Sequence, residues 1–143
     1  MISTKGRYAL RVMADLARHQ GDGFLPLNEI AQRQEISEKY LESIIKGLVR
    51  GGMLIGIRGK GGGYRLTRAP REYTVGDILR LTEGELAPVA CLEKDCAPCP
   101  RRERCDTLPM WKRLNDMINT FFDGVTLADL IAPDAETPEG ENL

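Results

Sequence analysis

The sequence predicts a mostly α protein with one small β-hairpin: a winged helix-turn-helix followed by a long C-terminal dimerisation helix. Three observations predict it. First, apolar residues recur at helical spacing over 3–20, then over two shorter stretches, 26–36 and 37–51; a longer helix before two short ones is a scaffold leading into a helix-turn-helix. Second, two strand-like runs, Met53–Arg58 and Tyr64–Thr67, flank Gly59-Lys60-Gly61-Gly62-Gly63, the pattern of a hairpin. Third, Leu108, Trp111, Leu114, Met117, Ile118, Phe121 and Phe122 form an apolar stripe wider than a helix resting on a small head requires.

The first helix, Ser3 to about Gln20, puts Tyr8, Ala9, Val12, Met13, Leu16 and Ala17 on one face. Ser3 or Thr4 can cap it. Gly21-Asp22-Gly23 ends it, because glycine accepts the left-handed conformation of a helix C-terminus. It reads as scaffold whose early basic residues can touch phosphates. The second helix, Pro26 to Ile36, turns Leu27, Ile30 and Ala31 inward, and Pro26 suits a first helical position. The chain breaks around Glu35-Ile36-Ser37. The third helix, Ser37 to about Gly51, has Leu41, Ile44, Ile45, Leu48 and Val49 as its core stripe. Its outward residues are Glu38, Lys39, Tyr40, Glu42, Ser43 and Lys46. Such a helix fits a major groove about 12 Å wide. A generic three-helix bundle with a solvated charged face fits the same spacing.

The hairpin favours the DNA-binding reading, since a hairpin directly after a helix-turn-helix is a wing. Arg58 and Lys60 at its tip reach a minor groove or the flanking phosphates. Gly59 and its neighbours permit positive φ and close backbone approach; Tyr64 opens the return strand, which Pro70 stops. A nucleotide-phosphate loop is the competing reading of R-G-K-G-G-G. No helix start follows to supply a dipole, and the lysine is not followed by Ser or Thr.

Thr74 to about Gly84 reads as a helix packed on the head, with Val75, Ile78, Leu79 and Leu81 apolar and Thr74 as its cap. Pro88 opens a loop that holds all four cysteines, Cys91, Cys96, Cys99 and Cys105. Asp106 or Thr107 caps the long helix, which reaches about Phe122. Trp111, Leu114, Met117, Ile118 and Phe121 are its candidate dimer residues, burial against a symmetry mate explaining so wide a stripe. An intramolecular core helix is the alternative. Thr126–Ile131 is a last short helix. The expected divisions are a DNA-binding head at 1–85, a cysteine-rich sensor loop at 86–106, the dimerisation helix with a short packing helix at 107–132, and an acidic tail at 133–143. The tail's Pro, Gly and Glu content predicts disorder.

The net charge of −1 hides an asymmetry. Residues 1–70 carry 12 basic and 6 acidic side chains, a balance of +6; residues 71–143 carry 8 and 15, a balance of −7. The basic half is the half with the helix-turn-helix, and basic surface attracts phosphate. No apolar run approaches the ~20 residues of a membrane span, and no continuous apolar core follows Lys5, Arg7 and Arg11, so the N-terminus does not read as a signal peptide. The expected location is the cytoplasm. In that reducing compartment clustered cysteines point to metal binding or redox sensing more than to structural disulfides. Catalysis is not expected: no nucleophile–base pair, acidic dyad or nucleotide loop occurs, and there is one histidine.

Four thiolates in one loop can close around a metal, with Cys96-x-x-Cys99 as a tight chelate. Arg101, Arg102 and Arg104 favour thiolate over thiol. Such a site holds zinc or an iron–sulfur cluster, and a disulfide between two of the cysteines is a third possibility. Spacing leaves the three open.

With helix, wing and cysteine loop in place, the chain resembles the Rrf-two family of winged-helix transcription regulators, whose members include the iron–sulfur cluster regulator (IscR). The resemblance is carried by S-T-K-G-R-Y-A-L at Ser3–Leu10, I-S-E-K-Y-L-E at Ile36–Glu42, R-G-K-G-G-G-Y at Arg58–Tyr64 and V-G-D-I at Val75–Ile78. Cys91, Cys99 and Cys105 and T-L-A-D-L at Thr126–Leu130 complete it. It spans nearly all the chain except the tail; the wing and the cysteine spacing are its most specific parts. It implies a homodimer on two half-sites of double-stranded DNA and, as in the family's cluster-binding members, a cluster of [2Fe-2S] type in each subunit. It implies Cys91, Cys99 and Cys105 as ligands. The family's usual fourth ligand, a histidine three residues after the last cysteine, is replaced by Leu108. Some relatives use an acidic side chain near the partner's N-terminus, where this chain has Tyr8. The extra Cys96 can fill the gap.

The expectation is therefore a dimeric repressor whose operator affinity follows a cluster or the thiol state of the Cys91–Cys105 loop. Lys39, Lys46, Arg58 and Lys60 supply charge, and Tyr40 and Ser43 meet phosphates or base edges. Glu42 can accept from a cytosine amino group, and the family uses this position to tune which sites are read. The alternative is a cluster-free regulator of cysteine or sulfur metabolism working through a partner protein or a thiol switch.

Overall fold

The computed structural model describes residues 2–132; the expected disordered tail, 133–143, lies outside them. Six α-helices and one hairpin follow in order: α1 (Thr4–His19), α2 (Leu27–Gln34), α3 (Glu38–Arg50), β1 (Leu54–Ile57), β2 (Gly63–Leu66), α4 (Val75–Glu83), α5 (Leu108–Asp123) and α6 (Leu127–Ile131). Single 3₁₀ turns occur at Pro70–Glu72, Ala90–Leu92 and Arg102–Arg104.

Local chemistry sets most of the boundaries. The hydroxyls of Ser3, Ser37, Thr74 and Thr126 accept from backbone N–H groups in the first turns of α1, α3, α4 and α6. Asp77 and Asp129 return the bond to the cap residue in the last two; such reciprocal boxes satisfy two otherwise orphaned donors. Pro26 caps α2 instead of entering it. That helix ends at Gln34, two residues before the expected end, because Glu35 takes the left-handed conformation (φ 54°). The reversal turns Ile36, 7% exposed, into the core. Thr107 holds the cap position of α5 without a side-chain cap bond.

The core gathers Ala9, Val12, Met13 and Leu16 from α1, Ile30 from α2, and Leu41, Ile44, Ile45 and Leu48 from α3. Leu54 and Leu66 close it beneath the hairpin, Tyr73 and Ile78 come from the α4 region, and Leu127 from α6. Val49, expected in the α3 stripe, is 37% exposed, and Leu81 of α4 is 40% exposed. Val49 faces the groove between α3 and the hairpin instead. The C-terminal helix returns to the head: Val75 N–H donates to Val125 C=O at 2.8 Å and Leu127 N–H to Tyr73 C=O at 2.9 Å.

Strands β1 and β2 are antiparallel, pairing Leu54 with Leu66 and Ile57 with Gly63. Leu25 adds a bridge, exchanging two 2.8 Å backbone bonds with Tyr64. At this junction a Cβ on Gly63 would run into the Leu25 carbonyl, so only glycine lets the wing sit against the α1–α2 connection.

Tyr73 joins wing to head. It is fully buried; its hydroxyl donates to Met53 C=O at 2.8 Å and accepts from Thr67 N–H at 2.9 Å and Arg68 N–H at 3.0 Å. Tyr73→Phe should cost about 2 kcal/mol, because it strands buried backbone groups that lost water on folding. Urea unfolding measures this, and a variant as stable as the parent removes the hydroxyl from the account.

Asp15 is the charged side chain buried in the head among the described residues, at 2% exposure. Arg33 grips it through Nε to Oδ2 at 3.0 Å and Nη2 to Oδ1 at 2.8 Å, and Gln34 Nε2 donates at 2.8 Å. Burial raises the Asp15 pKa; the hydrogen bonds from Arg33 and Gln34 and the Arg33 charge outweigh it and hold the carboxyl below its usual value.

Candidate functional site

The first candidate surface is formed by α3 and the wing. Lys39, Glu42, Ser43 and Lys46 are exposed along α3. Tyr40 is half-buried: its ring meets Tyr8 edge-on at 5.8 Å, and the Arg11 guanidinium stacks on Tyr8 at 4.9 Å. Arg11 itself donates to Gln34. Tyr40 is thus tied to α1 as well as facing outward. The Lys46 ammonium lies 3.3 Å from the Glu42 carboxylate. An exposed pair of this kind adds little stability, but it offsets the negative charge of Glu42 on this face.

Between α3 and the hairpin runs a groove of about 590 Å³ lined by Glu42, Ile45, Lys46, Val49, Arg50, Gly56, Ile57, Arg58 and Tyr64. It brings Glu42, Lys46, Arg58 and Tyr64 together. Lys39, Tyr40, Ser43, Gly59 and Lys60 lie outside its lining. Gly59 and Gly61 have φ of 94° and 76°, and Gly62 N–H closes on Gly59 C=O at 3.0 Å, turning the tip sharply with Lys60 exposed. Sequence reasoning missed Arg50 and Ile57. The signal for Arg50 was present: it stands four residues beyond Lys46 and shares its helix face.

The second candidate site is the loop between α4 and α5. All four cysteines line one small cavity of about 90 Å³ with Leu92, Pro98, Arg102 and Leu108. The Cys96 thiol donates to Cys91 C=O at 3.1 Å. Cys105 Sγ lies 3.4 Å from the Thr107 hydroxyl. That contact, the N–H groups of Thr107 and Leu108 at the start of α5 and the Arg101 charge hold the Cys105 pKa below its usual value. Among the described residues no three Cys, His, Asp or Glu side chains already stand at metal-holding distance. The donor set suits a thiophilic metal or an iron–sulfur cluster; the thiols line the space a metal centre would take and must draw inward to hold one. His19 is exposed at the end of α1 and does not line the cavity.

The third surface is α5, in which none of 16 residues is buried. Its apolar positions separate into two stripes. Ile118 and Phe122 line an apolar cavity of about 280 Å³ with Ile2, Leu86 and Pro88, and Trp111 is half-buried. Beside this stripe Asn119 and Asp123 take the Arg80 guanidinium at 2.7 Å each. The other stripe is open: Met110 54%, Leu114 37%, Met117 58% and Phe121 64% exposed. Of the expected interface residues, Leu114, Met117 and Phe121 therefore face away from the rest of the chain, whereas Trp111 and Ile118 are partly covered. Met110 was missed; it stands four residues before Leu114 and seven before Met117, on the same face.

A winged helix-turn-helix with a basic groove, followed by a thiol-lined loop, defines a DNA-binding transcriptional regulator. Residues 2–133 match the family model Rrf2, "Iron-dependent Transcriptional regulator". The HTH-type transcriptional regulator IscR of Aliivibrio salmonicida is 37% identical over 130 residues, 91% of this chain and 76% of that one. Among solved structures, CymR (YrzC), the global cysteine regulator of B. subtilis, is 40% identical with a TM-score of 0.74, covering 92% of this chain and 95% of its own. T. potens IscR is 37% identical with a TM-score of 0.72, covering 97% and 90%. The chain belongs to the Rrf2 family of transcriptional regulators. It is not an enzyme. No helix among the described residues is long and apolar enough to cross a membrane.

Proposed function

We propose that this chain is a homodimeric repressor whose operator affinity is set by the state of the thiol cavity between α4 and α5. The observation that carries this reading is the convergence of all four cysteines on one cavity that ends where α5 begins. The Cys96 thiol donates to the Cys91 carbonyl, and Cys105 Sγ meets the Thr107 hydroxyl. Drawing these sulfurs onto a common centre orders the loop between the head and α5. A ligand shifts DNA affinity only through a difference in binding between two such states. When bound, an iron–sulfur cluster would supply a centre that is lost or oxidised as cell chemistry changes, held by Cys91, Cys99 and Cys105.

Two copies joined along the open stripe of α5 present two α3 helices, and half-sites about 34 Å apart match one helical turn of DNA. Lys39, Lys46 and Lys60 neutralise phosphate, Ser43 and Tyr40 meet phosphates or base edges, and Gly59 lets the wing backbone approach closely. Arg58 reaches from the groove wall toward the minor groove. Arg58→Ala should weaken binding to a specific operator by about 1–3 kcal/mol at fixed salt; fluorescence anisotropy measures it, and unchanged affinity strikes Arg58 from the contact list.

A second reading is favoured by Leu108, which fills the usual histidine position, and by the similarity to a cysteine regulator. In it the same cavity works without a cluster, as a thiol switch or through a partner protein. Anaerobic purification separates the two. Iron with sulfide, and an operator affinity that changes when they are removed, supports the cluster. Metal-free protein whose affinity follows a thiol oxidant supports the switch. Operator binding indifferent to both treatments defeats both.

A further inference from the structure

We infer that Cys96 is the fourth ligand of the cavity, replacing the absent nitrogen donor with a thiolate and making the set all-cysteine. The inference rests on the cluster reading above and deepens it. Three observations carry it. Leu108 lines the cavity, so the residue three places after Cys105 presents an alkyl chain that donates nothing. His19, the chain's one histidine, is exposed at the far end of α1 and outside the lining. Cys96 is inside it, with its thiol already turned onto the Cys91 carbonyl beside a second ligand.

Charge supports the exchange. A set of four thiolates carries one negative charge more than three thiolates with a neutral imidazole, and like charges held this close repel one another unless a cation stands near. Arg102 lines the same cavity and places a guanidinium among the four sulfurs. Binding releases the Cys96 proton to solvent and gives up its bond to the Cys91 carbonyl. A weak S–H donor gives up little there, and metal–thiolate bonding exceeds it.

The test uses the full chain, reconstituted anaerobically with ferrous iron and sulfide, as wild type, Cys96→Ala, Leu108→His and the double variant. Iron and sulfide per chain, the visible spectrum and electron paramagnetic resonance of the reduced protein are read. Cys96→Ala should retain cluster roughly tenfold less well in a chelator challenge. The double variant should recover it, with nitrogen hyperfine coupling from the new histidine that the wild type lacks. Rescue of this kind is not available to a cysteine with a merely structural role. Cys96→Ala protein with wild-type iron, sulfide and spectrum overturns the ligand assignment and leaves the cluster reading standing. Wild-type protein that takes up no iron and sulfide overturns both. Loss in Cys96→Ala without recovery in the double variant, while Leu108→His alone still binds, also overturns it.

Discussion

Replacing Arg33 with alanine is expected to lower the stability of the head by about 3 kcal/mol, the range seen when one partner of a buried ion pair is removed. The asymmetry of the pair explains the size. The Asp15 side chain is fully buried, whereas that of Arg33 is 32% exposed. Without Arg33 the carboxylate keeps the Gln34 amide but no counter-charge. It must then bind a proton or admit water into the core. Asp15→Asn is the informative companion, because it keeps shape and some hydrogen bonding while removing the charge.

The pH dependence has a definite sign. Asp15 has a lowered pKa in the folded chain, so its ionised form stabilises the fold above the ordinary carboxylate range, roughly pH 4. That contribution is lost as pH falls through the folded value. Wild type should therefore lose stability on acidification more steeply than Asp15→Asn. Urea unfolding at several pH values compares the two, and parallel acid limbs would show that the pair contributes nothing through its charge.

The second large effect is expected at Phe121. In the proposed homodimer, Phe121→Asp should raise the dissociation constant about 100-fold or more, because a carboxylate desolvated in an apolar seam costs several kcal/mol. The side chain is 64% exposed in the single subunit, so the variant should still fold. The open stripe supports this choice: Met110, Leu114, Met117 and Phe121 alternate steps of four and three residues, the spacing of a helix-on-helix seam. Sedimentation across a concentration series reads the effect. A variant that remains dimeric at the wild-type midpoint moves the interface elsewhere. Operator affinity should fall as dimerisation is lost, since a single head contacts one half-site.

Much of this was legible because it is local. The caps at Ser3, Ser37 and Thr74, the stop at Pro70 and the glycine tip of the wing each depend on residues within a few positions. Helical period named the inner faces of α1 and α3, and family motifs named the cysteines. The miscalls lie where local rules meet a distant neighbour. Val49 satisfies the apolar period of α3, but it stands in the wall of the groove facing the hairpin instead of in the core. Tyr40 keeps its outward period, and the edge-on contact with Tyr8 that ties it to α1 is one no local pattern names.

By itself the sequence determined the elements, their order, the wing and the presence of a thiol-rich loop, since periodicity, capping and turn chemistry act over one or two turns of chain. Only the tertiary structure decided that Leu127 closes the core of a head more than forty residues away, that Asp15 meets Arg33, and that Cys96 and Leu108 face the same cavity as the other cysteines. Those pairings depend on how amphipathic faces come to rest on one another. No short-range pattern encodes that, because the free energy of burial rewards any arrangement that hides the apolar area, and the competition among arrangements is settled by the whole chain.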